Sequence, residues 1–201
     1  EPPVIVIQLP GGATTDPAAD PGSEPLPQHS RQVDIDVRNM AREGLLAPGA
    51  PRSQQEEEYR LIKRPLLENV RNPEGIRPNR ANLIMVTSAV PGEGKTQTAT
   101  NLALSIAMEL DHTVLLVEAD VLRPSLLQRL GVQAERGLLD VLDSQAPNLA
   151  DVLLKTNIPK LTLLPAGRTR NRATEILASG AMEAPSAAAG SASWANSNTG
   201  V

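Results

Sequence analysis

Gly92, Gly94, Lys95 and Thr96 stand in the run AVPGEGKT (89–96), whose spacing suits the holding of phosphate. Two glycines so placed let successive backbone N–H groups turn toward one anion. The lysine that follows reaches the terminal phosphates, and the threonine hydroxyl after it ligates Mg²⁺. Context supports the motif: the apolar run NLIMVTS (82–88) leads in and an amphipathic run leads out, giving strand, turn and helix. The positive end of that helix adds to the attraction. The implied ligand is Mg-ATP, lined by Ala89, Val90, Pro91, Gly92, Glu93, Gly94, Lys95, Thr96 and Gln97. Ala89 stands where the general motif has its first glycine.

A second set of candidates lies in VLLVEADVLRPS (114–125), where Glu118 and Asp120 come at the carboxyl end of a buried strand. Ligands of open α/β sheets bind at such ends. Two carboxylates there hold Mg²⁺, or take a proton from an attacking hydroxyl. An acidic strand end is by itself an ordinary solvated turn; a P-loop one βαβ unit earlier favours function. The metal candidates are therefore Thr96, Glu118 and Asp120, and the catalytic candidates Lys95 and Asp120.

The elements that must position these residues follow from periodicity. Residues 82–88, TVLLVEA (113–119) and KLTLLPAG (160–167) are apolar runs of strand length. Between the first two, Ala99, Leu102, Ala103, Ile106, Ala107 and Leu110 share one helical face. Short helical patterns follow at 124–130, 137–142 and 148–154, and a last one at 172–182. Continuous apolar strands separated by amphipathic helices predict an α/β fold with a mostly parallel sheet covered on both faces. Ser53 followed by Glu56 matches a capping box ahead of the helix EEEYRLIKR, which Pro65 is expected to end or kink. NPEGIRPNR (72–80) is turn-rich.

Nine of the eighteen prolines fall within the first 51 residues, so 1–52 reads as a disordered leader. Within it, Ile35, Val37, Met40 and Leu45 are equally compatible with a brief docking helix and with a floppy linker. Twelve of the last eighteen residues are Ala, Ser or Gly and none is charged, so 184–201 reads as a disordered tail, leaving 53–183 as the folded domain. With no Phe, and only Tyr59 and Trp194 as aromatics, the core must be aliphatic. A net charge of -4 offers no basic footprint for nucleic acid. The absence of cysteine excludes disulfides and thiolate metal sites and fits a reducing cytosol.

Taken together, VTSAVPGEGKT, VLLVEADVLRPS, RGLLDVL (136–142) and LPAGRTRNRATEILAS (164–179) resemble a bacterial tyrosine kinase (BY-kinase) of the exosortase-associated, exopolysaccharide type, over about residues 53–183. The resemblance implies a SIMIBI-like P-loop NTPase fold, shared with the ParA/MinD ATPases. Those cousins carry a signature lysine where this chain has Val90. It further implies transfer of the γ-phosphoryl of ATP to tyrosine, with Mg²⁺, in exopolysaccharide biosynthesis. Homo-oligomerisation into a ring would run through Glu57, Arg60 and Lys63, whose spacing alone equally suits i,i+3 surface pairing. The implied partner is a membrane-embedded polysaccharide co-polymerase, which would hold a cytoplasmic protein at the inner face of the plasma membrane. Two departures stand out: Glu118 replaces the family's first aspartate, and no aliphatic-Asp-Ser-Pro-Pro strand or tyrosine cluster follows Ala178. The sheet is accordingly expected to be incomplete at its C-terminus, as in a truncated reading frame. A gap is expected beside the P-loop strand, where related folds place the missing strand. The alternatives are a non-catalytic nucleotide-binding or assembly fragment and a ParA/MinD-like ATPase.

Overall fold

Strand-length apolar runs and amphipathic segments alternate from residue 82 onward, and the computed structural model folds them largely as that pattern directs. The structure describes residues 5–8, 31–71, 82–109, 111–143 and 148–168. In chain order these form β1 (Ile5–Gln8), β2 (Arg31–Val33), α1 (Val37–Met40), α2 (Gln54–Arg71), β3 (Leu83–Val86), α3 (Lys95–Ala107) and β4 (Val114–Glu118). Then come α4 (Leu126–Leu130), α5 (Leu138–Leu142), a 3-10 turn at Leu149–Asp151, β5 (Leu154–Thr156) and β6 (Leu161–Leu164). The turn-rich run 72–80, the helical pattern 172–182 and the tail 184–201 lie outside the described residues.

One six-stranded sheet has the order β2-β5-β6-β4-β1-β3. β4 and β6 are parallel, and β1 is antiparallel to both β3 and β4. The three strands foreseen from sequence, β3, β4 and β6, therefore share one direction. β5 runs against β6, and β2 follows β5. The expected α/β architecture with helices on both faces is present, and β4 shows why its sequence is continuously apolar. Val114 and Leu116 enter the larger core with Ala99, Ala103 and Ile106 of α3, while Leu115 and Val117 meet Leu138 and Val141 of α5 on the opposite face. β3 is different, with Met85 64% exposed, as befits the edge of the sheet.

Several expectations need correction. Order does not begin near Ser53: β1, β2 and α1 all precede it, and Ile35, Met40, Leu45 and Leu46 are core residues. Of the two readings of 33–46, docking holds, with Asp36 accepting from Arg38 N (2.9 Å) to start a single helical turn. The proline content of 1–52 concealed these elements: β2 is only three residues long, and the β-branched run Ile5–Ile7 that enters β1 stands between prolines. The expected gap beside the P-loop strand is also filled, since β1 lies between β3 and β4. At 148–154 the helical pattern gives way to one 3-10 turn and then β5. Consecutive Leu153 and Leu154 enter opposite cores, the alternation of a strand.

α2 begins as foreseen, with Ser53 Oγ accepting from Glu56 N at 3.1 Å, but it runs through Pro65 to Arg71. Pro65 is exposed, and the carbonyl its ring leaves unpaired belongs to Leu61, itself exposed and open to water. Leu67 is buried, and Leu66 and Val70 pack against the core, so tertiary packing carries the helix past its local breaker.

α5 is fixed by backbone contact with the end of β6. Leu138 N donates to Pro165 O (2.8 Å) and Leu139 N to Ala166 O (3.0 Å). A Cβ at Gly137 would stand 2.1 Å from Pro165 O and 2.4 Å from Gly167 N, both backbone atoms that cannot swing aside. Gly137→Ala should therefore destabilise the fold by about 2–3 kcal/mol, read as a lower urea midpoint at unchanged slope. A midpoint equal to that of the unmodified chain would show that α5 can shift freely.

Candidate functional site

β3 ends at Val86, and the loop after it turns through Gly92 (φ 87°) and Gly94 (φ 91°) before α3 starts at Lys95. Neither glycine is crowded where a Cβ would stand, so it is the left-handed backbone angle that demands glycine there. Gly94 is the N-cap of α3 and offers no side-chain oxygen to the first turn. The N–H groups of that turn and the positive end of a 13-residue helix thus face the loop, a ready anion site. The loop holds its own shape: the Glu93 carboxylate accepts from Ala89 N (2.9 Å) and Val90 N (3.2 Å), and Ser88 Oγ donates to Val90 O (3.1 Å). Glu93 was legible only as a lining residue; its role as a staple depends on the turn bringing it back four residues.

The structure brings Lys95 and Asp120 together. Nζ lies 3.6 Å from Asp120 Oδ2, with the side chains only 11% and 4% exposed. Asp120 Oδ1 accepts from Arg123 N (2.9 Å), which fixes the carboxylate's orientation. Thr96 is buried at the second position of α3, and its Oγ1 accepts from Ser125 Oγ at 3.1 Å.

Glu118 is placed differently from the expectation. Its Oε1 accepts from Ser125 N (2.6 Å) and Leu126 N (2.7 Å), so one oxygen of the carboxylate is engaged in capping the start of α4. Ser125, which sequence reasoning passed over, links the two halves of the site. Its amide holds Glu118 and its hydroxyl meets Thr96. Its signal in the sequence was its place after Pro124 at the start of a helical pattern.

Burial lifts the Glu118 carboxyl above the ordinary glutamate range; the amides of Leu126, Ser125 and Ala166 pull it back, and the charge of Asp120 adds to the rise. A raised carboxyl favours the protonated form in the folded state. Its stabilisation is complete below the unfolded value, roughly 4.3, and is lost as pH climbs through the folded value. The stability of the nucleotide-free chain relative to Glu118→Gln should therefore decline as pH rises from 4 to 7 in urea titrations. A difference that grows over that range would reverse this reading.

Two other candidates turn away from the site. Gln97 donates through Nε2 to Gly44 O (3.2 Å), beside Asn101, whose side chain bonds both Gly44 O (3.0 Å) and Leu46 N (2.8 Å). Gln97 thus anchors the 44–46 segment to α3 instead of lining the loop. Lys63 is likewise corrected as an oligomerisation residue: it is buried, donating to Ser105 O (2.6 Å) of α3 and pairing with Glu109 (2.7 Å) just beyond the end of that helix. Glu57 and Arg60 form an i,i+3 pair at 3.4 Å with about half of each side chain exposed.

The donors present suit Mg²⁺ only in company with phosphate. Among the described residues no group of three or more His, Cys, Asp or Glu could hold a metal by itself. A hydroxyl at Thr96 and a carboxylate at Asp120 are hard oxygen donors of the kind that share Mg²⁺ with nucleotide phosphates.

No family model matches the chain. It is 32% identical over 158 residues to the succinoglycan biosynthesis transport protein ExoP of Rhizobium meliloti, covering 77% of this chain and 19% of that protein. It is 34% identical over 97 residues to the tyrosine-protein kinase CpsD of Streptococcus agalactiae, covering 47% of this chain and 41% of that one. With the tyrosine-protein kinase YwqD of Bacillus subtilis it shares 30% identity over 135 residues, covering 67% of this chain and 54% of the relative. The chain thus spans from about a fifth to about half the length of these relatives. Among solved structures, the chimerical protein CapA2B2 superposes with a TM-score of 0.55 at 21% identity, over 79% of this chain and 64% of that one, a likeness of fold.

Proposed function

This chain is a homologue of the bacterial tyrosine-protein kinases, and from that premise we propose that it binds Mg-ATP at residues 89–96 and passes the γ-phosphoryl group to a tyrosine hydroxyl. The observation that carries the reading is the approach of Lys95 to Asp120 at the N-terminus of α3. With nucleotide bound, the first-turn amides of α3 receive the phosphates and the Lys95 ammonium turns from Asp120 to the γ-phosphoryl oxygens. Thr96 and Asp120 are the residues that would hold Mg²⁺, which would supply neutralisation of the phosphate charge. In the transfer the tyrosine oxygen forms a bond to the γ-phosphorus as the bond to the β-γ bridging oxygen breaks. Asp120 takes the phenolic proton and ADP leaves. Glu118 acts through others, holding Ser125 and the start of α4 in place. Calorimetric titration with Mg-ATP, followed by labelled-phosphate transfer to a tyrosine-containing acidic copolymer, tests the reading. Absence of both would remove it.

The second reading is nucleotide binding without self-phosphorylation. It is favoured by Tyr59, the only tyrosine, which packs against the core from within α2. Self-association is proposed through the half-exposed Glu57 and Arg60 alone, since Lys63 is engaged within the chain. Alanine at both should convert any ring-sized species to monomer in light scattering, and an unchanged mass would return the pair to ordinary surface pairing. No described helix is long and apolar enough to cross a membrane. A place at the inner membrane face, through a polysaccharide-export partner, is proposed from the name of the ExoP relative.

A further inference from the structure

β3, which leads into the phosphate loop, and β4, which ends in Glu118, do not touch as strands; β1 lies between them. Among the described residues, β1 is the only strand hydrogen-bonded to β3. Its four residues pair on one side with Val86, Met85, Ile84 and Leu83, and on the other with Glu118, Val117, Leu116 and Leu115. Ile5 is thus opposite both Val86 and Glu118, the last residues of the two strands that deliver the site.

The consequence is geometric. Neighbouring strands stand about 4.8 Å apart, so β1 holds β3 and β4 roughly 9.6 Å from each other. The 3.6 Å approach of Lys95 to Asp120 is built across that spacing. Without β1, β3 either detaches from the sheet or closes by one strand width, and both outcomes displace the loop relative to Asp120. The strands on the other side, β4, β6, β5 and β2, keep their own pairings, and β4 and β6 keep the second core beneath them. β1 is also short, and 22 residues (9–30) separate it from β2, so its docking is a local event distinct from folding of that half.

We propose that the slot between β3 and β4 is a strand-accepting site whose occupant, Ile5–Gln8, completes the nucleotide site, so that strand docking and ATP binding favour each other. The inference rests on the phosphate-site reading of residues 89–96. By linkage, whatever factor the docked strand adds to ATP affinity, ATP adds to strand affinity. Recognition in the slot is the pairing of an extended segment to two open edges at once.

The test uses the full chain with Val6→Pro and Ile7→Pro together. Consecutive strand residues direct their N–H groups to opposite edges, so the pair breaks the ladder toward both neighbours. Mg-ATP affinity should fall at least tenfold by calorimetry. Hydrogen exchange should show β3 amides losing protection while those of β6 keep theirs. A synthetic peptide of residues 1–10 should restore ATP affinity, and saturating Mg-ATP should raise the peptide's affinity by the same factor. Unchanged ATP affinity in the variant, or a peptide affinity indifferent to Mg-ATP, would overturn the coupling. Loss of protection across the whole sheet would overturn it as well, reducing β1 to general support. If the unmodified chain itself fails to bind Mg-ATP, the nucleotide reading fails separately. The slot then stands if β3 exchange responds to the variant and peptide as stated, and falls if it does not.

Discussion

Lys95→Met should lower Mg-ATP affinity far more than tenfold, and should also weaken the fold. The first effect follows from the position of Lys95 as the first residue of α3, where its ammonium is the only side-chain charge from the loop able to meet the γ-phosphate. A tenfold loss corresponds to about 1.4 kcal/mol, and the removed interaction is charge-assisted and largely shielded from water. The second effect comes from Asp120. Its side chain is 4% exposed, and the methionine variant leaves it without its cationic neighbour. Breaking a buried pair commonly costs roughly 3–5 kcal/mol; at 3.6 Å the contact is looser, and about 2 kcal/mol is expected here. The two effects separate in a double variant. Lys95→Met with Asp120→Asn should recover most of the lost stability, because the stranded charge is gone, yet should still fail to bind ATP. Calorimetry giving native affinity for the single variant would dismiss the phosphate site. Recovery of binding in the double variant would assign the defect to folding instead.

Asp120→Asn alone should reduce phosphoryl transfer to an added tyrosine copolymer at least a hundredfold, with ATP affinity changed by less than tenfold. The amide keeps an oxygen for Arg123 N, so the turn after β4 should hold its shape. What is lost is the proton acceptor and one oxygen donor for Mg²⁺. General-base loss is commonly worth about 10²–10⁴ in rate, and phosphoryl transfer depends on positioning and charge neutralisation throughout. Lys95 meanwhile loses the carboxylate that competes with phosphate for it, which supports binding in the variant. Incorporation into the chain itself should be weak even without substitution, since Tyr59 packs against the core within α2. Phosphate mapping decides both points. Equal transfer by the asparagine variant would remove Asp120 from the chemistry, and strong labelling of Tyr59 would show that α2 yields its tyrosine readily.

What the sequence determined by itself is the local chemistry. AVPGEGKT between a strand-length run and an amphipathic one specified strand, loop and helix, and φ values of 87° and 91° at Gly92 and Gly94 answer to the glycines. The apolar run at 113–119 specified a strand buried on both faces, with Glu118 and Asp120 at its end. These features rest on interactions between near neighbours, so the period of the side chains carries them. Tertiary structure decided everything that depends on which distant group a side chain meets. Glu118, Gln97 and Lys63 are all polar residues near the right elements, yet they spend their hydrogen bonds on α4, Gly44 and α3 respectively. A buried polar group goes to whichever partner satisfies it, and no spacing rule names that partner. Pro65 stayed helical because Leu67 and its neighbours packed, and Leu153 and Leu154 became strand because two cores lay on opposite sides of them. The largest decision was that of Ile5–Gln8. Ile5, Val6 and Ile7 are β-branched and favour extended backbone, but four residues do not hold a strand alone; they became one because two sheet edges stood unpaired one strand-width to either side.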